Sequence, residues 1–96
     1  MITLYHGTSK SVLPQILKEG LIPHFNRHLK TCDKQIWLID DPEVARFYSL
    51  EHRDSVVLEV KVNEDEVILY ATWRDCEEYY SVKPIGPDRI SVHTDR

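Results

Sequence analysis

Two short helical patterns lie in the first half of the chain, and the second half consists almost entirely of short strands. Apolar residues recur at helical spacing over positions 12–17, and Gly20 stands where a helix C-cap is expected. A second helix is predicted to begin at Asp41 as N-cap, with Pro42 in its first turn, and to end near Leu50. Predicted strands cover residues 1–5, 36–39, 55–62, 66–70, 78–82 and 89–93. Because most of the strands follow the helices and do not alternate with them, this order predicts an α+β domain, not a doubly wound parallel sheet.

Length, charge and apolar content limit the kinds of protein that this chain can be. Its 96 residues, 42% hydrophobic and 29% charged, match one globular domain covering residues 1–96. The net charge of -4 and the pI near 5.7 argue against a wide basic surface for unspecific phosphate-backbone binding. The chain shows no signal-peptide pattern, no apolar run near the ~20 residues of a membrane helix, and no CxxC pairing of Cys32 and Cys76. We therefore expect a cytoplasmic protein without a membrane partner.

Two segments place aromatic or imidazole side chains at the ends of predicted elements. His6 follows the first predicted strand, where its ring can bond a ribose hydroxyl, and Gly7 lets a ligand approach the backbone. A turn histidine is the structural alternative. Trp37 lies on a predicted strand and Tyr48 on the helix after it. The two rings can enclose a flat ligand, although aromatic residues at such positions are often part of a core.

A third segment and a long loop supply charge. The acidic pair Glu77 and Glu78 begins a late strand, and a carboxylate there can bond a ribose hydroxyl and stabilise an oxocarbenium-like centre. A solvated strand end is the alternative, and a register shift of one residue would turn Glu77 inward in place of Glu78. The predicted loop over residues 21–35 contains Arg27, whose planar guanidinium suits a phosphate, or which is simply solvated.

In order and spacing these segments resemble the ADP-ribosyltransferase superfamily, in particular its His-Tyr-Glu branch. That branch includes the poly(ADP-ribose) polymerases, the diphtheria-type toxins and, more distantly, the RNA 2′-phosphotransferases. The matching segments are His6-Gly7-Thr8, Glu19-Gly20-Leu21, Ile36-Trp37-Leu38-Ile39-Asp40, Tyr48 and, with a slip of one residue, Glu78-Tyr79-Tyr80-Ser81-Val82. Trp37 stands where the branch usually has tyrosine, so stacking is kept while a phenolic hydroxyl is lost.

The resemblance implies a small split β-sheet core with two short helices, and a cleft that binds NAD as substrate without a metal. The implied site consists of His6 and Glu78 as catalytic residues and of Gly7, Thr8, Arg27, Trp37 and Tyr48 as NAD-binding residues. His6 is expected to hold a ribose and Gly7 the nicotinamide amide, while Glu78 orients the nicotinamide ribose.

The implied activity is that of a transferase of the glycosyltransferase class, an NAD-dependent ADP-ribosyltransferase. It would cleave the nicotinamide–ribose bond and pass ADP-ribose to a macromolecular acceptor, a protein in preference to a nucleic acid. A compact domain of this kind would suit a toxin, a phage-encoded modifier of host proteins or a small metabolic enzyme. The alternative is an inactive module of the same fold that binds NAD, ADP-ribose or a partner protein. Trp37 and the small size favour that alternative.

Overall fold

The computed structural model describes residues 1–23, 35–49, 54–74 and 76–94, which form six strands and two seven-residue helices. In chain order these elements are β1 (Ile2–Ser9), α1 (Leu13–Glu19), β2 (Ile36–Ile39), α2 (Pro42–Tyr48), β3 (Ser55–Val62), β4 (Ile68–Thr72), β5 (Glu77–Ser81) and β6 (Ile90–Val92). Short 3₁₀ turns precede α1, β4 and β6. The predicted α+β class is confirmed. Neither helix in this part of the chain has the length or apolar composition needed to cross a lipid bilayer.

The six strands form one sheet that is joined only narrowly in its middle. Their order is β4-β5-β2-β1-β3-β6, and every neighbouring pair is antiparallel. β1 and β3 pair over their full eight residues, whereas β1 and β2 share a single pair, Tyr5 with Ile39. The sheet therefore consists of two halves, β4-β5-β2 and β1-β3-β6, between which strand pairing stops after that pair; we call this interruption of the pairing the gap. This division agrees with the expected split sheet.

Both faces of the sheet are covered by apolar residues. The face under α1, here called the α1 face, carries the larger core: Leu4, Ile16, Leu21, Ile36, Leu38, Leu58, Val60, Val62, Ile85 and Ile90. The opposite face, the α2 face, carries a smaller core of Ile39, Ala45, Val57 and Cys76. In the sequence of β3, apolar residues at 56, 58, 60 and 62 alternate with Val57, Glu59 and Lys61, which predicts a half-buried strand. Because α2 covers Val57, β3 is buried on both faces at this point.

β1 is longer than the sequence predicts. The expected strand ends at residue 5, but pairing with β3 continues to Ser9, opposite Ser55. His6, Gly7 and Thr8 therefore lie inside a strand and not in a turn after it. The reason is long-range, since the apolar alternation of β3 stabilises a partner strand of equal length.

The predicted start of α2 is confirmed, but Phe47 on this helix faces solvent and not the sheet. Asp41 Oδ1 accepts a hydrogen bond from the Glu43 amide at 2.8 Å, and Pro42 opens the helix. The spacing of Val44, Phe47 and Tyr48 along the helix predicts that all three face the body of the protein. Phe47 is instead 69% exposed. Ala45 faces the sheet instead, and a position two residues further along a helix points to the opposite side.

The predicted loop after α1 is partly structured. Gly20 caps α1 with φ of 86°, a left-handed conformation that glycine adopts without strain. Leu21 is buried and pairs with Ile85. Residues 24–34, including Arg27, lie outside the described residues, so its predicted role in phosphate binding stays a prediction.

The late strands begin and end close to their predicted limits, and β4 differs most. It starts at Ile68, two residues later than expected, because residues 64–66 form a 3₁₀ turn. The Glu66 carboxylate stabilises that turn. It accepts a hydrogen bond from the backbone N–H of Asn63 at 2.8 Å and forms an ion pair with Arg89 at 2.6 Å. β5 and β6 each lie within one residue of the predicted limits.

Candidate functional site

His6 bridges the gap between the two halves of the sheet. Its Nδ1 lies 2.7 Å from the carbonyl oxygen of Trp37, beyond the point where β1 and β2 stop pairing. A carbonyl oxygen only accepts, so Nδ1 carries the proton, and in the neutral ring Nε2 is then the acceptor. The imidazole thus replaces a missing strand-to-strand hydrogen bond.

We expect His6→Phe to lower the free energy of unfolding by about 1 kcal/mol, because the Trp37 carbonyl loses a partly buried donor. Urea denaturation of the purified variant measures this. His6→Asn places an amide donor near the position of Nδ1 and is expected to recover part of the loss. Equal stability of all three proteins would contradict a bridging role.

Gly7 is packed directly under α2. A Cβ atom added at Gly7 would collide with the backbone carbonyl oxygen of Ala45 and would lie 2.8 Å from the Cβ atom of Ser49. The absence of a side chain is therefore required by helix packing, whatever contact a ligand makes. Thr8, the next residue of the predicted site, pairs with Val56 and lies on the α1 face, the same face as His6.

Glu78 lies on the α2 face, close to the gap. It pairs with Ile39, which in turn pairs with Tyr5, so its Cα lies two strand spacings, about 10 Å, from β1. Glu78 is only 9% exposed, and its Oε1 accepts a hydrogen bond from Trp73 Nε1 at 3.1 Å. The indole N–H occupies one oxygen of the carboxylate, and a carboxylate can accept further hydrogen bonds.

Glu77 faces the other side of the sheet, which decides between the two adjacent acids. Its Oε2 accepts from the Tyr79 hydroxyl at 2.9 Å, and its amide donates to Asp40 Oδ1 at 2.9 Å. Because side chains alternate along a strand, Glu77 and Tyr79 share the α1 face, whereas Glu78 shares the α2 face with Trp37. The register therefore directs Glu78, and not Glu77, toward the predicted aromatic residue. The same alternation leaves His6 and Thr8 on the opposite, α1 face, so the structure divides the predicted site residues between the two faces of the sheet.

Trp37 belongs to a cluster of protein aromatic rings. Its ring centroid lies 4.8 Å from that of Tyr70 and 5.4 Å from that of Tyr80, at interplanar angles of 85° and 50°. We call these three residues the aromatic cluster. Trp37 Nε1 is buried and bonds to no described residue. Tyr48, the predicted partner, is the last residue of α2, but its side chain lies outside the description, so enclosure of a ligand by the two rings stays a prediction.

Sequence reasoning missed three residues around Glu78 and Trp37. Tyr80 was detectable, since it follows Glu78 by two positions and therefore shares its face. Tyr70 and Trp73 were not, because their positions depend on the pairing of β4 with β5. That pairing changes register between Leu69 and Ala71, and such a shift has no sequence signature at this site.

The Tyr79 hydroxyl is expected to titrate above the ordinary range of a tyrosine. Its hydrogen bond to Glu77, together with partial burial and the charge of Glu77, raises the pKa of Tyr79 above its ordinary value of about 10. Because the pKa of Tyr79 is higher in the folded chain than in the unfolded chain, the protonated hydroxyl adds to the free energy of unfolding below pH 10. This contribution is lost as the pH rises through the pKa of Tyr79 in the folded chain. Ultraviolet titration of tyrosinate should show a late-ionising component that is absent from Tyr79→Phe. A Glu77→Gln variant in which that component is unchanged would contradict the assignment.

Neither a known protein family nor a curated protein matches the chain. Within the described ranges, no three His, Cys, Asp or Glu side chains come together as a metal site would require. A surface depression on the β1-β3-β6 half lies away from the gap, and its lining residues are Met1, Lys61, Asp88, Arg89, Ile90 and Ser91.

Proposed function

We propose that this chain is an NAD-dependent ADP-ribosyltransferase. The observation that carries the proposal is the position of Glu78, a buried carboxylate that faces the same side as Trp37 and lies one strand from the gap bridged by His6. A largely buried carboxylate beside the gap between the two half-sheets can accept a hydrogen bond from the hydroxyl of a bound sugar. The order of His6, Trp37 and Glu78 along the chain supports the same class of enzyme.

The proposed reaction substitutes one group at the anomeric carbon of the nicotinamide ribose. The bond between C1′ and the nicotinamide nitrogen breaks, its electron pair leaves with the neutral nicotinamide, and C1′ becomes oxocarbenium-like. The Glu78 carboxylate accepts a hydrogen bond from the ribose 2′-hydroxyl and stabilises the positive charge that develops. The acceptor then bonds to C1′ and releases its proton to solvent. Interactions of this kind accelerate the step because they strengthen in the transition state.

The other residues of the proposed site bind and orient NAD. His6, whose Nδ1 donates to the Trp37 carbonyl at the gap, is the residue that holds a ribose. The backbone of Gly7 contacts the nicotinamide amide, and Trp37 supplies an aromatic surface for the nicotinamide ring. We place this reaction in the cytoplasm and favour a protein acceptor over a nucleic acid, since a net charge of -4 gives no general attraction to phosphates.

The test is incubation of the purified protein with NAD, alone and with cell lysate, followed by measurement of released nicotinamide and of mass added to macromolecules. Release above the rate without protein, together with a mass increase equal to ADP-ribose, would support the proposal. NAD binding by calorimetry without any release would support the alternative, a binding module, which the missing hydroxyl at Trp37 favours. Absence of both binding and release would overturn both.

A further inference from the structure

Trp73 lies at the end of the hairpin that joins β4 to β5, next to Glu78. Its backbone amide donates to the Cys76 carbonyl at 2.8 Å, which closes the hairpin and fixes where the side chain starts. The indole is 51% exposed, yet its Nε1 reaches inward to Glu78 Oε1 at 3.1 Å. A large apolar ring at the surface thus directs its one polar atom toward the candidate catalytic acid.

The two oxygens of Glu78 are in different situations. Among the described residues, Trp73 is the donor that reaches this carboxylate, and it reaches Oε1. A hydrogen bond to a charged, buried group is stronger than one between neutral groups, and its direction restricts rotation of the carboxylate. With Oε1 held, Oε2 has a fixed direction and keeps its lone pairs for a ligand.

We propose that Trp73 is the positioning residue of this site, and that its indole N–H orients Glu78 so that Oε2 meets the ribose 2′-hydroxyl. This inference rests on the proposed function. It adds a residue that touches neither substrate nor reacting atoms and acts through Glu78 alone. It also explains why an exposed hairpin end carries a tryptophan, since phenylalanine or leucine would cover the same surface without the donor.

The hydrogen bond itself is tested without any assay of activity. The chain has two tryptophans, so an amide-type ¹H–¹⁵N correlation spectrum contains two indole N–H signals, and Trp73→Phe identifies one of them. Glu78→Gln is expected to shift the Trp73 signal by weakening a charge-assisted bond, while Glu77→Gln leaves it in place because Glu77 faces the α1 face. A Trp73 signal that is unchanged in Glu78→Gln would overturn the proposal.

The positioning role is tested by steady-state kinetics of Trp73→Phe, which keeps an aromatic ring and removes only the donor. We expect kcat for nicotinamide release to fall about 10- to 100-fold, with KM for NAD changed by less than about three-fold. Circular dichroism at the assay temperature checks that the variant is folded, as expected for a half-exposed side chain. A wild-type kcat in Trp73→Phe, or a fall in affinity with kcat unchanged, would overturn the positioning role.

The two proposals fail in different ways. If the wild-type protein releases no nicotinamide, the proposed function fails and the catalytic use of this bond fails with it. If the wild-type protein turns over NAD and Glu78→Gln does not, but Trp73→Phe equals the wild type, only the role of Trp73 fails. Loss of turnover in both variants, with the indole shift in Glu78→Gln, supports both proposals.

Discussion

Replacing Glu78 with glutamine is expected to lower kcat for nicotinamide release about 10²–10³-fold, while NAD affinity changes by less than about ten-fold. The amide has almost the same shape as the carboxylate, and its carbonyl oxygen still accepts from Trp73 Nε1. The substitution removes the negative charge that stabilises the positive charge developing at C1′. Because this positive charge is larger in the transition state than in the bound substrate, the loss lowers kcat more than it lowers NAD affinity. Released nicotinamide and calorimetric binding of NAD measure the two quantities separately.

Glu77→Gln is the matched control for this experiment. It makes the same chemical change one residue earlier, at a side chain that faces the α1 face and bonds the Tyr79 hydroxyl. We expect its kcat to stay within about two-fold of the wild type, since the Glu77 carboxylate bonds Tyr79 and is not directed toward Trp37 or Trp73. If Glu77→Gln loses turnover and Glu78→Gln keeps it, the register of β5 in solution differs from the one described and the assignment of the catalytic acid is wrong.

Gly7→Ala is expected to destabilise the fold by about 2–3 kcal/mol, which for a domain of this size lowers Tm by roughly 10–20 °C. The new Cβ would meet the backbone carbonyl oxygen of Ala45 and the Cβ atom of Ser49. Neither atom can turn away as a flexible side chain does, so α2 must shift away from β1. Differential scanning calorimetry without NAD measures the change, and the loss is expected before any ligand is added.

Gly86→Ala provides the control for Gly7→Ala. Gly86 has φ of -65°, and the atom nearest to an added Cβ is Asp88 Oδ1, on an exposed side chain that can rotate. We expect a change of about 0.5 kcal/mol or less. A Gly7→Ala protein with wild-type Tm that no longer binds NAD would assign Gly7 to the ligand alone and would contradict the packing explanation.

Local chemistry was sufficient for several elements. The start of α2 depends on Asp41 and Pro42, which act on amides within one turn, and the end of α1 depends on the left-handed conformation of Gly20. The alternation of β3 likewise needs no distant residue to be recognised. Together with the order of the elements, these signals predicted the α+β class, because short-range backbone preferences determine where helices and strands occur.

The tertiary structure decided what pairs with what. Strand pairing extends β1 through His6 and Gly7, and helix packing leaves Phe47 exposed. The register of β5 puts Glu78 on the α2 face and Glu77 on the α1 face. The contact of His6 with the Trp37 carbonyl joins residues 31 positions apart, and the bond from Trp73 to Glu78 depends on an irregular hairpin register. The sequence by itself therefore determined the residue types of the candidate site and their order. Only the fold decided their partners, because strand register is set by packing between distant segments and a shift of one residue reverses the face of every side chain.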